Sequence, residues 1–253
     1  MPSASASPRE RARTRLSDFR ILTFDCYGTL IDWEAGIWAA LQPLVRARKS
    51  AVTREEALEA FGQHETAQEA DSPTLRYSDL LARVHARLAK EWAVDLDEDE
   101  HRRFGRSVPD WPAFPDSAEA LGYLKRHYKL VILSNVDRES FRGEQCEAWR
   151  DLRHPHCRGH GLYKPDPRNF EYLLNAVAKQ GFAPADILHT AQSLFHDHVP
   201  AKRFGLATAW IDRRHEQTGW GATPPAEGAA YDFRFNSLGE MAEAHRREIQ
   251  GAA

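Results

Sequence analysis

Four short apolar runs, separated by longer segments of helical pattern, constrain the fold of this sequence most. They span residues 20–24, 129–133, 187–190 and 206–211. Apolar runs of this length predict buried strands, whereas segments 117–127, 167–180 and 198–204 predict helices. Strands that alternate with helices form a parallel sheet, and such sheets bind ligands at the carboxyl ends of their strands. The sequence therefore predicts an α/β fold with a doubly wound parallel sheet.

A helical insertion interrupts this pattern after the first strand. Between residues 36 and 108, apolar residues recur at spacings of three and four without any strand signal. We predict a core domain from residues 19–35 and 109–245, with residues 36–108 as an inserted helical cap. The first 18 residues, rich in Ser, Ala and Arg, are expected to be a disordered tail, with an organelle transit peptide as the alternative.

Charge and cysteine content exclude several classes of partner. Against 34 Lys and Arg stand 37 Asp and Glu, a net charge of −3 in 253 residues. Such a chain lacks the basic excess for nucleic acid or an anionic membrane, so we expect a small-molecule partner. No apolar run approaches the roughly 18 residues of a membrane span. Three cysteines without CxxC spacing predict neither disulfides nor structural zinc, which is typical of a cytoplasmic protein.

Polar residues at the ends of the predicted strands are the candidate site. Asp25 follows the first strand, where a desolvated carboxylate is an effective nucleophile, although loop and capping roles are commoner for such an Asp. Thr29 offers a hydroxyl four residues later, and Ser134 and Asn135 follow the second strand. Lys164, in YKPDP, offers a cation.

Four motifs in order make the sequence resemble the haloacid dehalogenase superfamily from about residue 19 to 240. They are DCYGTLIDWE, LSN, YKPDP and FHDHVPAKRFG. Most members of that superfamily are magnesium-dependent phosphatases with a second Asp two residues after the nucleophile, where this chain has Tyr27. Their two acidic magnesium positions in the last motif fall on Gln192 and Asp197. Tyr27 resembles instead the DxYGT signature of the L-2-haloacid dehalogenases, which implies no metal and no cofactor.

This resemblance implies a mechanism and a set of site residues. Asp25 is expected to displace halide from the α-carbon of a short 2-haloacid and form an ester that water then hydrolyses. Lys164 would hold Asp25 ionised, and Asp197 would orient or deprotonate the water. The remaining predicted site residues position Asp25 or the substrate: Thr29, Ser134, Tyr27, Asn135, Phe170, Gln192 and Ser193. The family also suggests a homodimer.

The position expected to receive the leaving halide departs from the family. Those dehalogenases use an Arg of the early cap, and alignment places Gly62 there. We considered Gln63, His64 and Arg76 as substitutes, and the sequence places none of them. A different small substrate with a good leaving group is therefore an open alternative.

Residues 143–162 fit the family pattern least. They read GEQCEAWRDLRHPHCRGHGL, where the family has a helix and a short apolar strand. Synonymous codons permit a DNA for this segment that encodes ASNARLGVTFDIHTAEDMGS when it is shifted forward by one base, and this alternative resembles the family segment. We therefore hypothesise a compensated frameshift whose frame is restored before Tyr163, which resequencing of the gene tests.

Two competing functions stay open from the sequence. One is a magnesium-dependent phosphatase that uses the same Asp25. The other is a catalytically degenerate fold that serves as a binding or regulatory protein, which Gly62 and the unusual segment motivate. Four aromatic residues, Trp33, Trp38, Phe61 and Trp210, are predicted to lie in the core rather than at the substrate.

Overall fold

A parallel sheet forms the centre of the structure. The computed structural model describes residues 15–136, 163–226 and 228–251. Within these residues the strands are β1 (Ile21–Phe24), β2 (Lys129–Ile132), β3 (Ile187–Ala191), β4 (Ala207–Ile211) and β5 (Phe233–Phe235). All pair in parallel, in the order β2-β1-β3-β4-β5. The predicted α/β class is confirmed, and β5 is an edge strand that the sequence analysis missed.

Helices precede and separate the later strands. Six lie between β1 and β2: α1 (Trp33–Ala40), α2 (Gln42–Ala47), α3 (Arg54–Asp71), α4 (Tyr77–Glu91), α5 (Glu98–Gly105) and α6 (Ser117–Leu124). The others that the structure describes are α7 (Pro167–Ala178), α8 (Val199–Arg203) and α9 (Leu238–Gly251). A capping box between Thr53 and Glu56 starts α3. The division into core and cap stays a prediction, and α1 begins three residues before the proposed boundary.

Alternate residues of the strands enter two separate apolar clusters, one on each face of the sheet. Leu22 and Phe24 of β1 join the larger cluster, which continues into buried residues of α3 and α4. Ile21 joins the smaller cluster, which includes Phe170 and Leu173 of α7. Because both faces are covered, the strands are almost continuously apolar, which explains their clear signal in the sequence.

The order of the strands places a switch point beside β1. The chain passes from β1 to β2 on one side and later to β3 on the other. Phe24 at the end of β1 is in register with Ile132 and with Thr190. Residues that follow these three strands therefore meet at one edge, where open α/β sheets bind their ligands.

Two segments named in the sequence analysis lie partly or wholly outside the described residues. Residues 143–162, the proposed frameshift, are outside them, as are residues 1–14. The predicted tail is wrong at its end, because Leu16–Asp18 form a 3₁₀ turn in which Leu16 is buried in the larger cluster. The carboxylate of Glu248 accepts hydrogen bonds from the backbone N–H groups of Leu16 and Ser17. None of the helices described here has the length and apolar character that a membrane span requires.

Candidate active site

The loop that follows β1 turns back on Asp25. Gly28 has φ of +95°, a left-handed conformation that favours glycine, and an added Cβ would lie 3.0 Å from Trp33 Nε1. The turn brings the hydroxyl of Thr29 to Asp25, and Thr29 Oγ1 donates to Asp25 Oδ2 at 2.7 Å. Thr29 Oγ1 also accepts a hydrogen bond from the backbone N–H of Gln192 at 2.9 Å, so Thr29 links the loops after β1 and β3.

Lys164 joins two buried carboxylates. Its ammonium donates to Asp25 Oδ1 at 2.9 Å and to Asp197 Oδ1 at 2.7 Å, and the carbonyl of Leu133 accepts from it at 3.1 Å. The Lys164 residue is only 2% exposed, so water screens these ion pairs little. Asn135 holds this segment in place, since its Oδ1 accepts from the Lys164 N–H at 2.7 Å.

A turn of π-helix, Leu194–His198, presents Asp197 to the site. Asp197 Oδ1 also lies 2.9 Å from His189 Nε2, whereas Oδ2 is buried without a hydrogen-bond partner among the described residues. Burial alone would raise the pKa of Asp197, but the Lys164 ammonium and the His189 contact outweigh it and hold that pKa below its ordinary value. Asp197 is therefore an ionised carboxylate with one oxygen available to accept a proton.

The pKa of Asp25 is shifted in the opposite direction to that of Asp197. Burial raises the pKa of Asp25, the charge of Asp197 adds to this effect, and Lys164 and Thr29 oppose it. Desolvation of this kind makes a carboxylate more reactive, because less hydration must be removed before it attacks. The two carboxylates that share one lysine are thus suited to different tasks.

A small cavity opens onto these groups. Its volume is about 50 Å³, and a single water needs roughly 10–15 Å³ on this measure, so a ligand of only a few non-hydrogen atoms fits. The lining residues are Asp25, Tyr27, Trp33, Glu65, Glu69, Ser134, Asn135, Val136, Lys164, Gln192, Ser193, His196, Asp197 and Thr223.

Most of the residues predicted for the site meet at this cavity. Eight line it: Asp25, Tyr27, Ser134, Asn135, Lys164, Gln192, Ser193 and Asp197. Thr29 reaches it through its bond to Asp25. Phe170 does not line it, and its assignment to the substrate is corrected. The ring is fully buried in the smaller apolar cluster, stacked on Phe204 at 5.9 Å.

The sequence analysis missed two acidic residues that line the cavity. Glu65 and Glu69 lie one turn apart on α3, and both face the cavity. Trp33, which is predicted to lie in the core, packs against the larger apolar cluster and also lines the cavity. A sequence signal for Glu65 exists, because it continues the stripe of Leu58 and Phe61 at spacings of three and four. An acidic residue in an apolar stripe indicates a buried polar role.

Gly62 lies against the backbone of a neighbouring loop. A Cβ added at Gly62 would lie 2.5 Å from the carbonyl oxygen of Ala222, so no side chain fits at this position. The three substitutes considered for a halide-binding Arg are also absent from the lining of the cavity. Gln63 and Arg76 are exposed, and His64 contacts Glu91 at 2.6 Å.

We expect Gly62→Ala to lower the free energy of unfolding by about 1–3 kcal/mol, because the new methyl group must displace backbone. Gly122→Ala is the matched control, since a Cβ there meets nothing within 4 Å. The control should stabilise α6 slightly, because alanine favours helix over glycine. Urea unfolding measures both, and equal effects of the two substitutions would contradict the packing assigned to Gly62.

Comparison with known proteins gives one family and one fold. A family model described as haloacid dehalogenase-like hydrolase matches residues 19–190, more than half of the chain. No curated protein sequence matches. The defluorinating L-2-haloacid dehalogenase Rha0230 is similar in structure, with a TM-score of 0.70, 22% identity, and coverage of 92% of this chain and 98% of that one.

Two further solved structures share the fold. The L-2-haloacid dehalogenase of Xanthobacter autotrophicus with chloropropionic acid covalently bound has a TM-score of 0.71 at 18% identity, and 93% of this chain and 100% of that one are covered. The HAD hydrolase YfnB of Bacillus subtilis bound to magnesium has a TM-score of 0.67 at 17% identity, with 90% and 99% covered. At such identities the likeness extends to the fold and not to the reaction.

Proposed function

Because this chain belongs to the haloacid dehalogenase-like hydrolases, we propose that it hydrolyses the carbon–halogen bond of a short 2-haloacid with Asp25 as nucleophile. One observation carries this proposal. The buried carboxylate of Asp25 faces a cavity of about 50 Å³, with Lys164 on one oxygen and Thr29 on the other. Both partners orient the carboxylate, and the size of the cavity fits a substrate of a few heavy atoms.

In the first step, an oxygen of Asp25 attacks the α-carbon of the substrate. A carbon–oxygen bond forms, the carbon–halogen bond breaks, and the halide leaves with the electron pair. The product of this step is an ester between Asp25 and the substrate. Tyr27, Ser134, Asn135, Gln192 and Ser193 are proposed to position the substrate, because all five line the cavity.

In the second step, water attacks the carbonyl carbon of the ester. Asp197 Oδ2 accepts the proton of that water, because it is buried in the cavity without a partner among the described residues. The ester bond then breaks, and the leaving alkoxide takes that proton from Asp197 and departs as a 2-hydroxy acid. The second proton of the water leaves the Asp25 carboxyl for solvent, which restores both carboxylates. Formation of the ester neutralises Asp25, so the Lys164 ammonium then has Asp197 as its one charged partner of the pair.

Magnesium-dependent phosphoryl transfer is the competing reaction in this family. The residues present fit it poorly, because Tyr27 and Gln192 stand where such phosphatases have carboxylates and Lys164 already bridges Asp25 and Asp197. No step of the proposed mechanism therefore involves a metal.

Two assays separate the candidate reactions. We expect halide release from 2-chloropropionate or chloroacetate in the presence of EDTA, and no phosphate release from p-nitrophenyl phosphate with magnesium. Phosphate release that requires magnesium, without halide release, would overturn the proposal. An absence of turnover on a broad panel of haloacids and esters would favour a binding or regulatory role.

We expect Thr29→Val to shift the acidic limb of the pH–activity profile to higher pH. The substitution removes a donor that lowers the pKa of Asp25, so the carboxylate becomes protonated, and inactive, at a higher pH than in the wild type. It also leaves the Gln192 N–H without its acceptor, at a cost of about 1–3 kcal/mol in stability.

The control for this substitution is Thr29→Ser, which keeps the hydroxyl. It should restore the wild-type limb of kcat/KM against pH. An unchanged acidic limb in Thr29→Val would show that the hydroxyl does not act on Asp25.

We further propose that the reaction takes place in the cytoplasm, without nucleic acid or membrane partners, and that the enzyme is a homodimer. The free, buried thiol of Cys26 supports the cytoplasmic location. The near-neutral net charge supports the lack of nucleic acid and membrane partners. Light scattering after gel filtration tests the last.

A further inference from the structure

The cavity that Asp25 lines also has an acidic wall, formed by two glutamates. Glu65 and Glu69 of α3 line the same cavity as Asp25, so they belong to this site and do not form a separate one. Glu65 is only 6% exposed. Tyr77 donates its hydroxyl proton to Glu65 Oε1 at 2.7 Å, and Asn135 Nδ2 lies 3.4 Å from Glu69 Oε1. Each carboxyl therefore has one oxygen held by a protein donor.

We propose that this pair determines leaving-group specificity, with Glu65, supported by Glu69, donating a carboxyl hydrogen bond to the departing halide. The inference rests on the proposed function and deepens it. Gly62 stands where the resembling dehalogenases have the Arg that receives the halide, and no side chain fits there. The inference assigns contact with the leaving halide to the two carboxyls instead. It also predicts a leaving-group preference, because fluoride accepts hydrogen bonds more strongly than chloride or bromide.

Burial keeps these carboxyls in the form that can donate. It raises the pKa of Glu65 to about 7, against a smaller opposing effect of the Tyr77 hydrogen bond. It raises the pKa of Glu69 well above its usual value, and the charge of Glu65 adds to this, whereas Lys164 and Asn135 oppose it. The other titratable groups that line the cavity are Tyr27, Lys164, Asp25, Asp197 and His196, and Tyr77 on α4 contacts Glu65.

His196 does not supply the positive charge that a halide-binding Arg would provide. His196 Nε2 lies 4.0 Å from Glu69 Oε2, but burial lowers the pKa of His196 to about 4, so the ring is neutral at pH 7. With Glu65 and Glu69 protonated, Asp25, Asp197 and Lys164 leave one excess negative charge. Ionisation of Glu65 removes the donor and adds a charge that repels an anionic substrate. Both effects predict a loss of activity as the pH rises through about 7.

The pH dependence of fluoride release from fluoroacetate and bromide release from bromoacetate tests this assignment. We expect wild-type kcat to fall above pH 7, and Glu65→Gln to lack this basic limb, because Gln donates without titrating. Glu65→Ala should lower kcat about 10²-fold or more for fluoroacetate, the usual loss for one transition-state donor, and much less for bromoacetate. The matched control is Glu59→Gln, on the exposed side of α3, which should behave as wild type.

Three outcomes would overturn the inference. They are a basic limb that persists in Glu65→Gln, equal losses for the two substrates in Glu65→Ala, and a change confined to KM, which would indicate charge repulsion alone. Each leaves the proposed function intact if wild type releases halide. No halide release by wild type at any pH would instead overturn the proposed function, and this inference with it. Circular dichroism verifies that each variant is folded. If Glu65→Ala does not fold, the basic limb of Glu65→Gln alone decides whether the inference holds.

Discussion

Replacement of Asp25 with Asn is expected to lower kcat for halide release by at least about 10⁴-fold, the scale seen when a nucleophile is removed. The amide keeps the size of the carboxylate but is a poor nucleophile. Lys164 keeps its second carboxylate, Asp197, at 2.7 Å, so the variant should remain folded. Steady-state kinetics and the urea midpoint measure the two effects separately.

A control for this variant is Asp110→Asn, which changes an exposed Asp outside the cavity and should leave kcat unchanged. If Asp25→Asn keeps more than about 1% of wild-type kcat in a folded protein, Asp25 is not the nucleophile, because so small a loss is below that of any essential group.

Replacement of Lys164 with Met is expected to lower the free energy of unfolding by about 3–5 kcal/mol at pH 7, the usual effect of breaking a buried ion pair. It leaves Asp25 and Asp197 buried without their shared cation, whose two contacts are 2.9 and 2.7 Å. The loss should be smaller at low pH, where the carboxylates bind protons and lose the charge that burial penalises. Activity should be lost as well.

Two comparisons isolate the charge effect in this variant. Lys90→Met, at an exposed position on α4, should change stability by no more than about 0.5 kcal/mol. The double variant Asp25→Asn with Lys164→Met should be more stable than Lys164→Met alone, because one uncompensated charge has been removed. Equal stabilities of the single and double variants would show that Asp25 and Lys164 are not coupled.

The sequence predicted the edge of the sheet where the site lies because that edge depends on local patterns. The strands are buried on both faces, so their apolar runs are clear, and Asp25, Ser134 and Gln192 follow them. The edge strand β5 has only three residues, none of them fully buried, so it leaves no such run. The π-helical turn that presents Asp197 has no apolar period of its own to reveal it.

The acidic wall of the cavity could not be predicted with the same means. Helix α3 contains five glutamates, and the stripe of Leu58 and Phe61 indicates that Glu65 is buried, but only tertiary packing shows that Glu65 and Glu69 line the cavity. Phe170 shows the opposite case. Alignment with the family placed it at the substrate, but its ring is buried against Phe204 in the core. In both cases the deciding information is tertiary contact, which spacing along the chain does not contain.

The fate of the water oxygen tests nucleophilic attack by Asp25 most directly. A single turnover of 2-chloropropionate by excess enzyme in ¹⁸O-labelled water should give 2-hydroxypropionate without the label. Mass spectrometry of the peptide that contains Asp25 should then show one ¹⁸O in its carboxylate, because water attacks the ester carbonyl and Asp25 gives its own oxygen to the product. Label in the product of that turnover, with an unlabelled peptide, would mean that water attacks the substrate directly and would contradict the account.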